Sequence, residues 1–160
     1  ALAENMLMLC NGWDEERARA EVAEAVASGK AFETMKKWIA AQGGNAAALE
    51  DFSLLPQASV HYELKAPRSG YLAHMDAQKI GEASAILGAG RQKKEDSIDY
   101  AAGIVLRKKT GDRVEAGETL AELWTNQEKS VADSEAEFLS ALVWGEEAPQ
   151  HQPLVLGVIR

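Results

Sequence analysis

A single cysteine, Cys10, occurs in 160 residues. It lies in an apolar run with no partner, which predicts a small buried hydrophobe in a reducing compartment. A chain of this length buries about two thirds of its unfolded surface, so folding requires neither a disulfide nor a structural metal. No apolar stretch approaches the roughly 20 residues of a membrane span, and no charged segment followed by an apolar one opens the chain as a secretion signal would. The expectation is a soluble, cytoplasmic protein. Positive charge is also short: 17 Lys and Arg stand against 25 Asp and Glu, a net charge of −8. Bulk electrostatics therefore repel nucleic acid and anionic membranes. The three histidines, His61, His74 and His151, show neither HxxxH nor HxH spacing, which argues against a metal site. No GxSxG or comparable motif supports a Ser–His–Asp set.

What is present begins abruptly. ALAENMLMLC has no Ser, Thr, Asp or Asn at an N-cap and starts in helical register. Leu2, Met6, Leu9 and Cys10 form one face, while Leu7 and Met8 cover another, so the helix is apolar almost all round. Exposing Leu2, Met6, Leu7, Met8 and Leu9 at about 1.5–3 kcal/mol each would forfeit about 8–15 kcal/mol, comparable to the stability of a whole domain. The expectation is a helix from the middle of a longer protein, or one buried against a second copy of the chain.

Asp14 followed by two glutamates predicts a second helix with a stripe of Ala18, Val22, Ala25 and Val26, ending at Gly29. A third starts near Ala31, places Phe32, Met35, Trp38 and Ile39 on a core-facing stripe, and stops at Gly43-Gly44. DFSLLPQAS reads as a connector. Val60, Tyr62 and Leu64 then alternate with His61, Glu63 and Lys65 as in a half-buried strand. APRSG is a turn, Tyr71–Ala73 a short strand, and Asp76 the cap of a helix running through Ile80, Ala83, Ile86 and Leu87. GIVLRKK and TGDRVEAGETLAELW carry strand signals, SVADSEAEFLSAL is helical, and PLVLGVIR reads as a closing strand. The acid pairs at 15–16 and 146–147 are expected to be solvated surface.

The stretch GAGRQKKEDSID admits two readings. As a phosphate cradle, its glycines would present N–H groups and Arg91, Lys93 and Lys94 would add charge. Against this, the glycines follow a helix C-terminus, where the dipole is negative, and the GxxxxGK[ST] pattern is missing. The preferred reading is a C-cap at Gly88 or Gly90, with Arg91 complementing the exposed carbonyls and Lys94, Asp96 and Asp99 fixing the crossing to the next strand. KTGDRVEAGETL, residues 109–120, reads as a β-hairpin and resembles that of lipoyl- and biotinyl-carrier domains. Such domains need a modifiable lysine soon afterwards at a tight turn, whereas Lys129 arrives late and without the DKA or MKM setting.

The segments SGKAFETMKKWIAAQGG, LKAPRSGYL and LGAGRQKKEDSIDYAAGIVLRKKTGDRVEAGETLA, in this order, resemble the C-terminal portion of the pyrimidine-nucleoside phosphorylase and thymidine phosphorylase family. The similarity runs over nearly the whole chain. It implies a homodimeric enzyme that cleaves a pyrimidine nucleoside with phosphate into free base and pentose 1-phosphate, with phosphate and nucleoside bound by upstream residues that have no counterpart here. It also implies an α+β fold: residues 1–55 as helices of the parent's catalytic α/β domain, 56–65 as connector and first strand, and 66–160 as an α/β-hammerhead domain with a barrel-sandwich-like hairpin. The matching positions are Pro67, Arg68, Ser69, Gly70, Gly88, Gly90, Arg91, Lys94, Asp96, Asp99, Gly111, Asp112 and Gly117, all expected to be structural. No catalytic, cofactor-binding or metal-binding residue carries over. The partner implied is the N-terminal remainder of the same enzyme. Two alternatives stand beside this: a free-standing carrier module modified at Lys129, and a small anion-binding unit using Arg91, Lys93 and Lys94.

Overall fold

Residues 1–91, 93–150 and 153–159 are described by a computed structural model, and they form an α+β chain in two units, Ala1–Leu55 and Pro56–Arg160.

The first unit is helical. Helix α1 (Leu2–Asn11) lacks a side-chain cap and ends at Gly12, whose N–H donates to the Met8 carbonyl. Asp14 caps α2 (Glu15–Ala27) by accepting from the Arg17 N–H at 2.8 Å, as the sequence predicts. Helix α3 (Lys30–Ala41) stops at Gln42 and Gly43, the latter in the left-handed region at φ 80°. Two short 3-10 turns follow, Ala46–Leu49 and Phe52–Leu54, each begun by an Asn or Asp side chain that accepts a backbone N–H two residues on. These local features follow the sequence; the burial does not. Cys10, expected to be buried, is exposed. Leu2 and Leu9 are 85% and 86% exposed, and of the apolar side chains in the helix Leu7 and Met8 are the half-covered ones, so the side of α1 that is covered is not the one marked by the i, i+4, i+7 pattern. Likewise the predicted core stripe of α3 is open: Phe32, Met35 and Trp38 are exposed. Three short helices whose one buried residue is Ala18, with Ala48 buried in the turn that follows, supply too little surface to cover these side chains.

The second unit holds the core. Strand β1 (Val60–Lys65) pairs antiparallel with β5 (Thr119–Thr125), which also pairs with β3 (Gly103–Leu106). A second sheet has the order β4 (Arg113–Val114), β2 (Gly70–Met75), β6 (Leu142–Gly145). Helix α4 (Ala77–Ser84) is capped by Asp76, as expected, continues into a π turn at Ala85–Ala89, and packs against α5 (Val131–Ser140). Leu64, Leu72, Leu87, Val114, Leu123 and Phe138 are fully buried between sheets and helices. Two buried hydroxyls are satisfied by α4 and the π turn after it: Ser134 Oγ donates to the Ala83 carbonyl at 2.8 Å, and Thr125 Oγ1 donates to the Leu87 carbonyl at 2.7 Å.

Three expectations fail here. Segment 109–120 is not a hairpin: β4 pairs with β2 and β5 with β1 and β3, so the turn at 115–118 carries the chain from one sheet to the other. A hairpin would exclude β2, whose Gly70 and Tyr71 take β4 as their partner. The helix expected through Leu142 ends at Ser140, and LVWG becomes β6, where Trp144 and Leu142 stand opposite Leu72 and Met75. A β-branched and an aromatic residue fit that pleated surface. Finally, residues 153–159 form no strand: no ladder among the described residues pairs with them, and a strand needs a ladder partner for its N–H and C=O groups, while Arg160, the last residue of the expected strand, lies outside the described residues.

Candidate functional site

The positions singled out in the sequence fall into two clusters. The first surrounds the π turn. Gly88 is buried, with φ 109°, a conformation only glycine adopts without strain. A Cβ there would lie 3.2 Å from Gln127 Nε2 and 3.4 Å from Asp99 Cβ. The Gly88 carbonyl accepts from the Asp99 N–H at 2.9 Å, so the two ends of the glycine-rich stretch meet. Asp99 Oδ1 accepts from the Ala101 N–H and Oδ2 from Asn126 Nδ2, both at 2.9 Å. Asp96 forms a smaller turn, Oδ2 accepting from the Lys93 N–H at 2.8 Å. Both aspartates thus make the turn hydrogen bonds that their positions predict. Gly90 packs closely on Ala85, while Arg91 and Lys94 are exposed.

A cavity of about 310 Å³ opens beside this turn, lined by Ala85, Ile86, Gly88, Gly90, Lys93, Asp96, Ser97 and Gln127. Lys93 and Asp96 bring one charge of each sign, and the space lies at a helix C-terminus, where the dipole is negative. That chemistry suits a hydrogen-bonded crossing better than a phosphate, whose charge asks for an excess of donors.

The second cluster joins the two sheets. Ala66 exchanges backbone hydrogen bonds with the 117–118 turn, its N–H donating to Glu118 and its carbonyl accepting from Gly117. Ser69 Oγ accepts from the Ala116 N–H at 2.8 Å and donates to Glu115 Oε2 at 3.1 Å. Gly70 lets two backbones approach: a Cβ there would stand 3.1 Å from the Gly145 carbonyl. Pro67 leads this turn, and the Arg68 guanidinium lies over the Trp144 ring at 5.3 Å. Asp112 Oδ2 accepts from the Lys109 N–H at 2.8 Å, and the Gly111 N–H donates to the Leu72 carbonyl, anchoring β4 to β2.

A third group escaped the sequence reading. On the outer face of the first sheet, His61 stacks on Trp124 with ring centroids 4.1 Å apart, and its Nε2 lies 3.3 Å from Glu122 Oε2. Arg107 Nε and Nη2 both reach Glu122 Oε1 at 2.6 Å. The Arg107 hydrogen bond holds the Glu122 carboxyl below its ordinary value, with His61 adding to it against partial desolvation. Period-two alternation marks these side chains as outward-facing but not their cross-strand neighbours, because register lies outside any one segment. Tyr62 on the other face donates to Glu135 Oε2 at 2.9 Å, which raises the phenol's pKa and ties the sheet to α5.

The remaining candidates stand apart. His74 lies within β2 and is exposed, rather than following the strand. His151 falls outside the described residues. Lys129 is exposed on a 3-10 turn at the start of α5, not at the tip of a hairpin. Among the described residues no group of three His, Cys, Asp or Glu side chains could hold a metal ion, and no helix is long and apolar enough to cross a membrane.

Comparison with known proteins places this arrangement. Residues 71–143 match the family model described as the pyrimidine nucleoside phosphorylase C-terminal domain. The chain is 43% identical over 128 residues to a pyrimidine-nucleoside phosphorylase of Bacillus subtilis, covering 79% of this chain and 30% of that one. It is 46% identical over 114 residues to one from Geobacillus stearothermophilus, covering 71% and 26%, and 45% identical over 128 residues to one from Staphylococcus aureus, covering 79% and 30%. The chain thus spans at most about 30% of the length of these relatives.

Proposed function

Since the chain belongs to the pyrimidine-nucleoside phosphorylase family, of which it carries the C-terminal domain, we propose that it braces the catalytic portion of such an enzyme and has no activity alone. The reaction is phosphorolysis: an oxygen of inorganic phosphate bonds to the sugar's anomeric carbon as the bond to the base breaks, and the base leaves with the electron pair. Catalysis of this kind is positioning and charge stabilisation in a dry cleft, and it depends on a frame that does not yield. The two clusters suit a frame. Each glycine, proline, aspartate and serine of the signature is engaged in a turn or a sheet-to-sheet crossing, and the substrate-reading groups are assigned to the part of the relatives that lies outside the match.

The same reading assigns residues 1–55 to the catalytic α/β domain, whose sheet would cover the open faces of α1 and α3, and reads the second unit as an α/β-hammerhead. It places the enzyme in the cytoplasm as a homodimer, transferring a pentosyl group in pyrimidine nucleoside salvage and needing no cofactor. The observation that carries it is identity of 43–46% spread across most of this chain.

A chimera tests it. The C-terminal 30% of the Bacillus subtilis relative is replaced by the matching residues of this chain, and phosphate-dependent release of uracil from uridine is followed. Retained release in the chimera and loss in a variant lacking the segment are expected. A folded but inactive chimera, or full release without the segment, would refute the bracing role.

A further inference from the structure

The chain reaches β1 through the exposed stretch 51–57, and just before that strand it meets a side-chain tie that is distant in sequence. The Ser59 N–H donates to Asn126 Oδ1 at 2.8 Å, and the same carboxamide donates through Nδ2 to Asp99 Oδ2 at 2.9 Å. The orientation of the amide is fixed by its partners: a backbone N–H can only donate and a carboxylate can only accept, so one of the two flips satisfies both. Asp99 in turn holds the Gly88 carbonyl through its own N–H at 2.9 Å and receives the Ala101 N–H on its second oxygen. Asn126 itself stands on firm ground. It follows Thr125, whose buried hydroxyl donates to the Leu87 carbonyl and accepts from the Gln127 N–H at 2.9 Å.

We propose that Asn126 is a positioning residue that ties the point where the chain enters the second unit to the glycine-rich crossing, so that opening at either place loosens the other. Only a side chain with a donor and an acceptor at this reach serves both. Aspartate would keep Ser59 and repel Asp99; leucine would hold neither. Both bonds lie at the surface and compete with water, so each is worth about a two- to tenfold change in a local opening constant. Coupling of this kind is reciprocal. It requires nothing of the proposed enzymatic role and holds whether or not that reading stands.

Amide hydrogen exchange on the full chain, read at Ser59, tests the tie. Asp99 does not touch Ser59, yet Asp99→Ala is expected to accelerate Ser59 exchange about two- to tenfold, and to add nothing at Ser59 once Asn126→Ala is present. Should Asp99→Ala fail to fold, Asp99→Asn keeps the side chain's size and an acceptor for Ala101 but turns a donor toward the Asn126 donor, and is expected to accelerate Ser59 exchange to a similar extent. Unchanged Ser59 exchange in both Asp99 variants, or equal acceleration with and without Asn126, overturns the proposal.

Discussion

Replacing Gly88 by alanine probes the crossing most sharply, because the cost divides into two parts that a second glycine separates. At φ 109° and ψ −2° an alanine pays the left-handed penalty of about 1–2 kcal/mol. Its Cβ also meets Gln127 Nε2 at 3.2 Å and Asp99 Cβ at 3.4 Å. The glutamine end can swing away, but Asp99 is held by Gly88, Ala101 and Asn126, so crowding adds about 1 kcal/mol, the low end of an overpacked site. Gly111 has a similar φ of 99° with nothing within 4 Å of the position its Cβ would take. Gly111→Ala therefore carries the backbone penalty alone. Alanine also lowers the entropy of the unfolded chain by about 0.4–1 kcal/mol in both variants, and this cancels in the comparison. Denaturant unfolding of the two variants, followed by fluorescence of Trp124 and Trp144, should show Gly88→Ala less stable than Gly111→Ala by about 1 kcal/mol, with both less stable than the parent. Equal stabilities would mean that Gly88 is not closely packed, and a Gly88→Ala as stable as the parent would refute the conformation itself.

Three further outcomes follow from the same geometry. Thr125→Val keeps the shape of a fully buried side chain but removes the partner of the Leu87 carbonyl and the Gln127 N–H, and should cost about 1–3 kcal/mol in denaturant unfolding. Phe138→Ala empties the centre of the second unit's core and should cost about 3–5 kcal/mol by the same measurement. The Glu122 pKa is depressed on folding, so the carboxylate stabilises the fold fully above the ordinary glutamate value of 4.5 and ceases to do so as pH falls through the lower folded value. A pH series of melting temperatures should therefore show the advantage of the parent over Glu122→Gln shrinking in acid; an advantage that grows in acid would contradict the Arg107 pairing.

Local chemistry was legible in the sequence wherever the cause was local. Asp14 and Asp76 cap the helices they precede, Gly43 follows the end of α3, Gly88 breaks the helical backbone within the 85–89 turn, and the strands at 60–65 and around Tyr71 stand where the sequence places them. What escaped depends on partners far along the chain. KTGDRVEAGETL has the turn residues of a hairpin, but β2 competes for β4 and β1 for β5, and those pairings are invisible within the segment. FLSALVWG is apolar apart from Ser140, so periodicity cannot show where α5 yields to β6. The stripe Phe32, Met35, Trp38 is amphipathic by spacing, yet spacing marks only a face suited to burial, and this chain does not bury it. In the crossing, Asp96 and Asp99 were readable as turn formers, while Asn126 was not, since its two partners lie 67 and 27 residues away.

Release of free base is the most direct measure of the central claim. With uridine and inorganic phosphate in excess, this chain alone is expected to liberate no uracil, and co-expression with the N-terminal 70% of the Bacillus subtilis relative is expected to yield phosphate-dependent liberation. Phosphate-dependent uracil release by the isolated chain would contradict the account.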